Sequence, residues 1–421
     1  MISVEDARER ILSFFSRLEV ERAPILDALG QVLAEDVRAP FDIPPLDNTA
    51  MDGYAVRAAD TTGASEASPR TLRVVADLAA GYVLDQAVGP GEAVRIMTGA
   101  PMPPGSDAIV PFEETDEPLR GPGEAPTRGS SVAVFKAARV GANIRYRAED
   151  VHAGSAVLTA GRVVRPSEVG VLASMGVAAI DVYRRPVVAI LSTGDEVTAP
   201  GQPLLPGRIY DSNAYGLAAL VKKYGGIPKL LGIAPDTVEA LTDRIREGYS
   251  ADMIVTSAGV SRGDFDVVKD VLAKEGAIDF WTVRMKPGKP LAFGAFETPS
   301  GRKVPHLGLP GNPVSSMVSF ELFGRPALFK MLGRAGWERP VIKAITRDEV
   351  RNTDARRFYA RCIVTKGDDG RYYADLTGPQ GSGILTSMSA ANALTIIPED
   401  VVVAMPGDEI EVMMLDWEHA P

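Results

Sequence analysis

Four short stretches of this 421-residue chain carry the residue types that phosphate chemistry needs. They read STGDE (Ser192 to Glu196), APD (Ala234 to Asp236), TSAGVSRGDFD (Thr256 to Asp266) and GLPGNPVSS (Gly308 to Ser316). Small residues let backbone N–H groups approach an anion, and hydroxyls add donors. A helix beginning near Val314 would aim its positive end at the same place. Ser257, Gly259 and Ser261, with Pro310, Gly311, Asn312, Pro313 and Ser315, are therefore candidates for an anion cradle that has no Walker lysine. The same stretches bring Asp195, Glu196, Asp236, Asp264 and Asp266. Carboxylates repel a phosphate unless a cation lies between them, so Mg2+ is the economical reading, with Glu196, Asp236, Asp264 and Asp266 as candidate ligands. The competing reading is that some of these acids only cap helices, as Asp264 could, standing just before a helix-like run.

A fifth stretch, VRMKPGKPLAFG, sets Arg284, Lys286 and Lys289 around Pro287 and Gly288. Regular structure cannot continue through that pair, so two ammonium groups are presented on a rigid turn that suits an oxyanion; the alternative is a solvated basic turn. Three further turns hold polar groups: Asp52 in TAMDGYAVR, Thr98 in RIMTGAPMP, and Glu149 and Asp150 at the end of GANIRYRAED. On their own these read as turns with satisfied side chains.

The elements that must position these groups follow from hydrophobic periodicity. From Pro186 to about Leu332, short apolar runs alternate with helical ones, the pattern of a parallel sheet covered on both faces, in which ligands bind at the carboxyl ends of the strands. The motif loops fall there. From Ala50 to about Asp150 the runs TLRVVADL, EAVRIMTG, DAIVPFEE and SVAVFKAA predict a small β domain, with LRGPGEAPTRGSS as an exposed loop. The end of the chain returns to β patterning and predicts a small barrel or sandwich. A helix is expected from Val4 to Leu18 with Ser3 as N-cap, a second helical pattern from Pro24 to Leu33, and a boundary at the prolines of FDIPPLDN.

A net charge of -10 argues against a general nucleic-acid binder while leaving room for a local anion site. One cysteine, Cys362, excludes an intrachain disulfide, and three scattered histidines give no ligand spacing. No apolar run approaches the roughly 20 residues of a membrane helix and the start is unlike a signal peptide, so a cytoplasmic protein is expected.

Taken together, DNTAMDGYAVR, RIMTGAPMP, GANIR, STGDE, PGRIYDSN, SAGVSRGDFD, MKPGKP and GLPGNPVSS resemble the MoeA family, in order over nearly the whole chain. The resemblance implies an elongated multidomain subunit of α/β plus β class. Its parts would be an N-terminal linker and helical domain (1–46 with 152–183), an inserted β domain (47–151), a MogA-like α/β molybdopterin-binding domain (184–332) and a C-terminal β barrel (333–421). It implies a molybdopterin molybdenumtransferase that inserts molybdate into adenylylated molybdopterin with Mg2+-dependent hydrolysis and releases AMP. It also implies a homodimer in which Asp52, Thr98 and Asp150 act across the subunits. Expected partners are a MogA-like adenylyltransferase and molybdoenzyme-maturation proteins.

Carried over residue by residue, Glu196, Asp236 and Asp266 fall on the family's metal and hydrolysis positions, and Lys286, Lys289 and Ser315 on its molybdate and phosphate contacts. PGRIYDSN supplies Asp211 and Asn213; RRFYARCI aligns Arg356 and Arg361; GSGILTSMSAANAL aligns Ser382 and Ser387. The chain departs from the family pattern at Ala258, Ala148 and Ala393, where glycine is expected. Two other functions fit parts of the sequence. Adenylyl transfer is disfavoured by the inserted domain and the MKPGKP turn, and a non-catalytic scaffold by the lack of a long linker and fused domain.

Overall fold

The computed structural model describes residues 1–121, 124–235, 237–258, 271 and 276–417. The chain packs as two compact units. One comprises Met1–Glu35, Gly161–Pro166 and Ala179–Pro421; the other comprises Asp36–Ala160 and Ser167–Ala178.

The smaller unit is built on a five-stranded sheet ordered Ala108–Pro111, Gly53–Val56, Glu92–Ile96, Arg70–Leu78 and Ser131–Val134. Only the Arg70–Leu78 and Glu92–Ile96 pair is parallel. Alternation along Gly53–Val56 sends Tyr54 and Val56 into one core and Ala55 into another, so the sheet is covered on both faces. Beside it, Asn48–Thr49 pairs with Ile144–Arg145 and Val37–Arg38 with Ala156–Leu158.

In the larger unit a six-stranded sheet runs Ile227–Ala234, Val187–Thr193, Met253–Ser257, Lys303–Leu309, Pro290–Glu297 and Gly276–Thr282. The first four strands are parallel and the last two antiparallel, so the all-parallel expectation holds only for the half that carries the motif loops. Val188, Ile190, Met253, Val255 and Leu307 pack against the helices Ser212–Lys223, Pro313–Ser319 and Arg325–Met331. The alternate residues Ala189, Leu191 and Ile254 face Leu241 and Ile245 of the helix Val238–Glu247. At the end of the chain, Val341–Thr346, Tyr372–Leu376, Arg361–Lys366, Ala393–Ile396 and Glu409–Met414 close into a barrel around Val364, Ala374 and Val412.

The N-terminal helix spans Val4–Leu12, shorter than expected; Ser3 caps it by accepting from Asp6 N at 3.0 Å, and Val4, Ala7 and Ile11 are buried. The helical pattern read at Pro24 to Leu33 is corrected. Val20–Pro24 is a strand paired antiparallel with Ala179–Tyr183, and turns follow it. Leu26 and Leu29, half of the presumed apolar stripe, are exposed, so no buried face rewards a helix there. Pro166–Ser174 is helical as read.

Candidate active site

A cleft of about 940 Å³ opens at the carboxyl ends of the parallel strands. Ser192, Thr193 and Glu196 line it from the first motif loop, Ser257 and Ala258 from the third, and Pro310, Gly311, Asn312, Pro313 and Ser315 from the fourth. These loops follow Val187–Thr193, Met253–Ser257 and Lys303–Leu309, and the last runs directly into the helix starting at Pro313.

Asp211 and Asn213 join the same wall but are partly committed to holding it together. Asp211 caps its helix by accepting from Ala214 N at 3.0 Å. Asn213 Nδ2 donates to Ser257 Oγ and to the Gly311 carbonyl, both at 2.7 Å, tying two motif loops. The Oδ1 of Asn213 and the Oγ of Ser192 are buried without a partner.

The basic turn lies across from these loops. Lys286, Pro287, Gly288 and Lys289 all line the cleft. Met285–Lys286 pairs in parallel with Arg357–Phe358, which brings Arg356 to the same wall. The Lys286 ammonium stands 4.7 Å over the Phe358 ring. Gly288 is required here: its φ is +101°, and a Cβ would meet Ser319 Oγ at 2.5 Å. Asp354 serves both cations, accepting from Arg356 Nη2 and lying 3.9 Å from Lys286 Nζ.

Two residues aligned as anion contacts are placed elsewhere. Arg361 is fully buried beneath the loop Pro379–Gly381, and Ser387, also buried, accepts from Arg361 Nε at 3.0 Å and donates to the Ile384 carbonyl. Neither lines the cleft; the loop above them does, through Gln380, Gly381, Ser382 and Gly383. Of these only Ser382 was read from the sequence. The Gly-rich GPQGSG preceding a helix was the available signal for the rest. Tyr210 and Thr193 were likewise missed as cleft-wall residues.

Among the carboxylates assigned to a metal, Glu196 lies on the cleft wall, while Asp236, Asp264 and Asp266 lie outside the described residues, as do Gly259 and Ser261. Among the described residues no group of three or more His, Cys, Asp or Glu is placed to hold a metal. Gly194, with φ +129°, leaves room for Glu196 to fold back: a Cβ there would stand 2.4 Å from Glu196 Oε2.

In the smaller unit, Asp52 accepts from both the N–H and the hydroxyl of Thr98, bonds that hold its carboxyl below the usual range. Asp150 is exposed, its N–H donating to the Ile43 carbonyl at 3.0 Å. Ala258 and Ala148, two of the three departures from the family glycines, have φ of +84° and +62°, the left-handed region that glycine tolerates best. Ala393 is an ordinary buried strand residue.

Family models describe three successive regions of this chain: "MoeA N-terminal region (domain I and II)" over residues 2–176, "Probable molybdopterin binding domain" over 189–330 and "MoeA C-terminal region (domain IV)" over 343–415. The chain is 37% identical to the molybdopterin molybdenumtransferase of Nostoc sp. over 99% of its own length and 94% of that protein. It is 38% identical to molybdopterin molybdenumtransferase 2 of Mycobacterium tuberculosis over 98% of its length and 99% of that protein. A crystal structure of the molybdopterin biosynthesis MoeA protein from Pyrococcus horikosii superposes with a TM-score of 0.79 at 33% identity, covering 99% of both chains. With relatives this similar over nearly its full length, and with the strand-end cleft and terminal barrel just described, the chain belongs to the MoeA family, that of the molybdopterin molybdenumtransferases.

Proposed function

We propose that the cleft binds adenylylated molybdopterin together with molybdate, and that the chain transfers molybdenum to the pterin dithiolene in the cytoplasm. Water adds across the phosphoanhydride, AMP and the pterin phosphate separate, and the two dithiolene sulfurs replace oxygens on molybdenum. One observation carries this reading: a cationic turn, Lys286 to Lys289, opens onto the same cleft as three hydroxyl-rich loops at strand ends.

The division of labour follows from charge. Molybdate bears two negative charges and favours Lys286, Lys289, Arg356 and the Ser382 hydroxyl, which supply charge-assisted hydrogen bonds. The nucleotide phosphates favour the loops of Ser257, Gly311 and Ser315, where small residues and the helix start at Pro313 offer backbone donors. Asp354 keeps Lys286 and Arg356 on that wall while no oxyanion is bound.

A hard oxygen donor facing the phosphate loops, with room to fold over Gly194, suits a divalent cation. Glu196, with Asp236, Asp264 and Asp266, would hold Mg2+, which when bound would offset charge on the phosphates. In the same reading the protein is a homodimer, and Asp52, Thr98 and Asp150 of one protomer serve the substrate of its partner.

The test is AMP release from adenylylated molybdopterin by the purified chain. Release that rises with molybdate and falls on chelation of Mg2+ supports the reading. ATP consumption with unmodified molybdopterin would instead identify an adenylyltransferase.

A further inference from the structure

Arg361 is a buried cation whose hydrogen bonds go to three carbonyls and a hydroxyl. Its Nη1 donates to the Gln380 carbonyl at 3.1 Å, its Nη2 to those of Pro379 and Gly381 at 3.4 and 2.9 Å, and its Nε to Ser387 Oγ at 3.0 Å. Among the described residues no carboxylate forms an ion pair with it, and burial alone lowers its pKa. A buried charge without a counter-ion is costly, so its retention calls for a reason beyond packing.

The reason lies in peptide geometry. The peptides joining Pro379, Gln380, Gly381 and Ser382 are trans, and in a planar trans peptide the C=O and N–H point in opposite directions. Three consecutive carbonyls turned down to one guanidinium therefore turn up the N–H groups of Gln380, Gly381 and Ser382, whose residues line the cleft. Among the described hydrogen bonds none is donated by these three amides. The Gln380 side chain is used below: its Oε1 accepts from Arg361 N at 2.8 Å, and its Nε2 donates to the carbonyls of Arg361 and Gly378. The far end of the loop is fixed by the Ser382 carbonyl, which accepts from Val314 N at 3.1 Å.

We infer that Gln380, Gly381 and Ser382 form a backbone-amide site for a tetrahedral oxyanion, with Arg361 as its positioning residue. Successive N–H groups aimed at one point bind anions, and the guanidinium polarises each peptide in the sense that strengthens its N–H as a donor. The ligand class is a molybdate ion or a phosphate group of the nucleotide; the inference rests on the proposed function only in taking the oxyanion from that substrate pair.

The experiment is amide NMR on the 15N-labelled full chain, titrated separately with sodium molybdate and with AMP. The resonances of Gly381 and Ser382 shift with one of the two anions, and which one identifies the source. Arg361→Lys keeps a charge but cannot reach three carbonyls, so it weakens that anion about tenfold or more, the scale of one lost charge-assisted hydrogen bond. Ser387→Ala, which removes one acceptor only, shifts affinity the same way by less, and serves if the lysine variant does not fold. Shifts at Lys286 and Lys289 with none at 380–382, or unchanged affinity in the variants, overturn the amide site and leave the proposed function standing. No shift at either place with either anion overturns both.

Discussion

Asp52 and Thr98 are joined twice: the carboxylate Oδ1 accepts the backbone N–H and the hydroxyl of the same threonine, both at 2.7 Å. These two bonds, the backbone one foremost, favour the ionised acid and lower its pKa. Thr98→Val removes one of them and moves the Asp52 pKa back up toward the ordinary carboxylate value, as read by side-chain NMR titration. The sign for stability follows. A depressed carboxyl pKa stabilises the fold above the unfolded value and loses that effect as pH falls through the folded one. The advantage of wild type over Thr98→Val is therefore present at neutral pH and vanishes in acid. An advantage independent of pH contradicts the assignment.

Ala258 and Ala148 hold a left-handed backbone without glycine. Replacing either with glycine relieves about 1–2 kcal/mol of native strain against an unfolded-state entropy cost of about 0.4–1 kcal/mol, so each variant gains stability of up to about 1 kcal/mol. Ala219→Gly, on the exposed face of the helix Ser212–Lys223, is the control and loses about 1 kcal/mol. Denaturant midpoints that fall for all three substitutions would rule out strain at the two turns.

Glu321 sits in the π-helical turn Phe320–Gly324 and gathers a buried network: Tyr224 donates to it at 2.5 Å, Arg339 at 2.7 Å, and Arg325 lies 3.6 Å away. Arg339 also donates to the carbonyls of Met414 and Leu415, so the network pins the last barrel strand to the helix. Burial holds Arg325 down at about 10, the mark of a cation with little water around it. Glu321→Ala leaves two buried guanidiniums without their carboxylate and costs about 3–5 kcal/mol. A midpoint near wild type would mean the cluster is better hydrated than its burial implies.

At the cleft, Lys286→Ala raises the molybdate concentration for half-maximal AMP release by about tenfold or more, the loss of one charge-assisted contact. Glu196→Gln, by contrast, raises the Mg2+ requirement and leaves that for molybdate unchanged. The two effects separate on crossed titrations; a Lys286 variant shifted only in Mg2+ would exchange the roles.

Much of this was legible in the residues. The loops STGDE and GLPGNPVSS reach one cleft because parallel strands put their carboxyl ends on one edge, and periodicity was enough to place them there. The antiparallel half of the sheet was not legible, since the apolar run at Pro290–Glu297 looks the same in either direction. The segment Val20–Pro24 was misread because its apolar spacing suits a helix, while its strand pairing depends on residues 155 or more positions away. Arg361 shows the sharpest limit. Its charge suggested an anion contact, but burial under its own loop, which no local pattern reveals, turns its donors toward protein carbonyls.

The most direct test is diffraction from crystals soaked in molybdate and AMP, collected at the molybdenum absorption edge. The account predicts one anomalous peak within hydrogen-bonding reach of Lys286, Lys289 and Arg356, with the nucleotide phosphate at the loops of Gly311 and Ser315. A molybdenum peak outside this cleft, or AMP bound with no metal beside it, contradicts it.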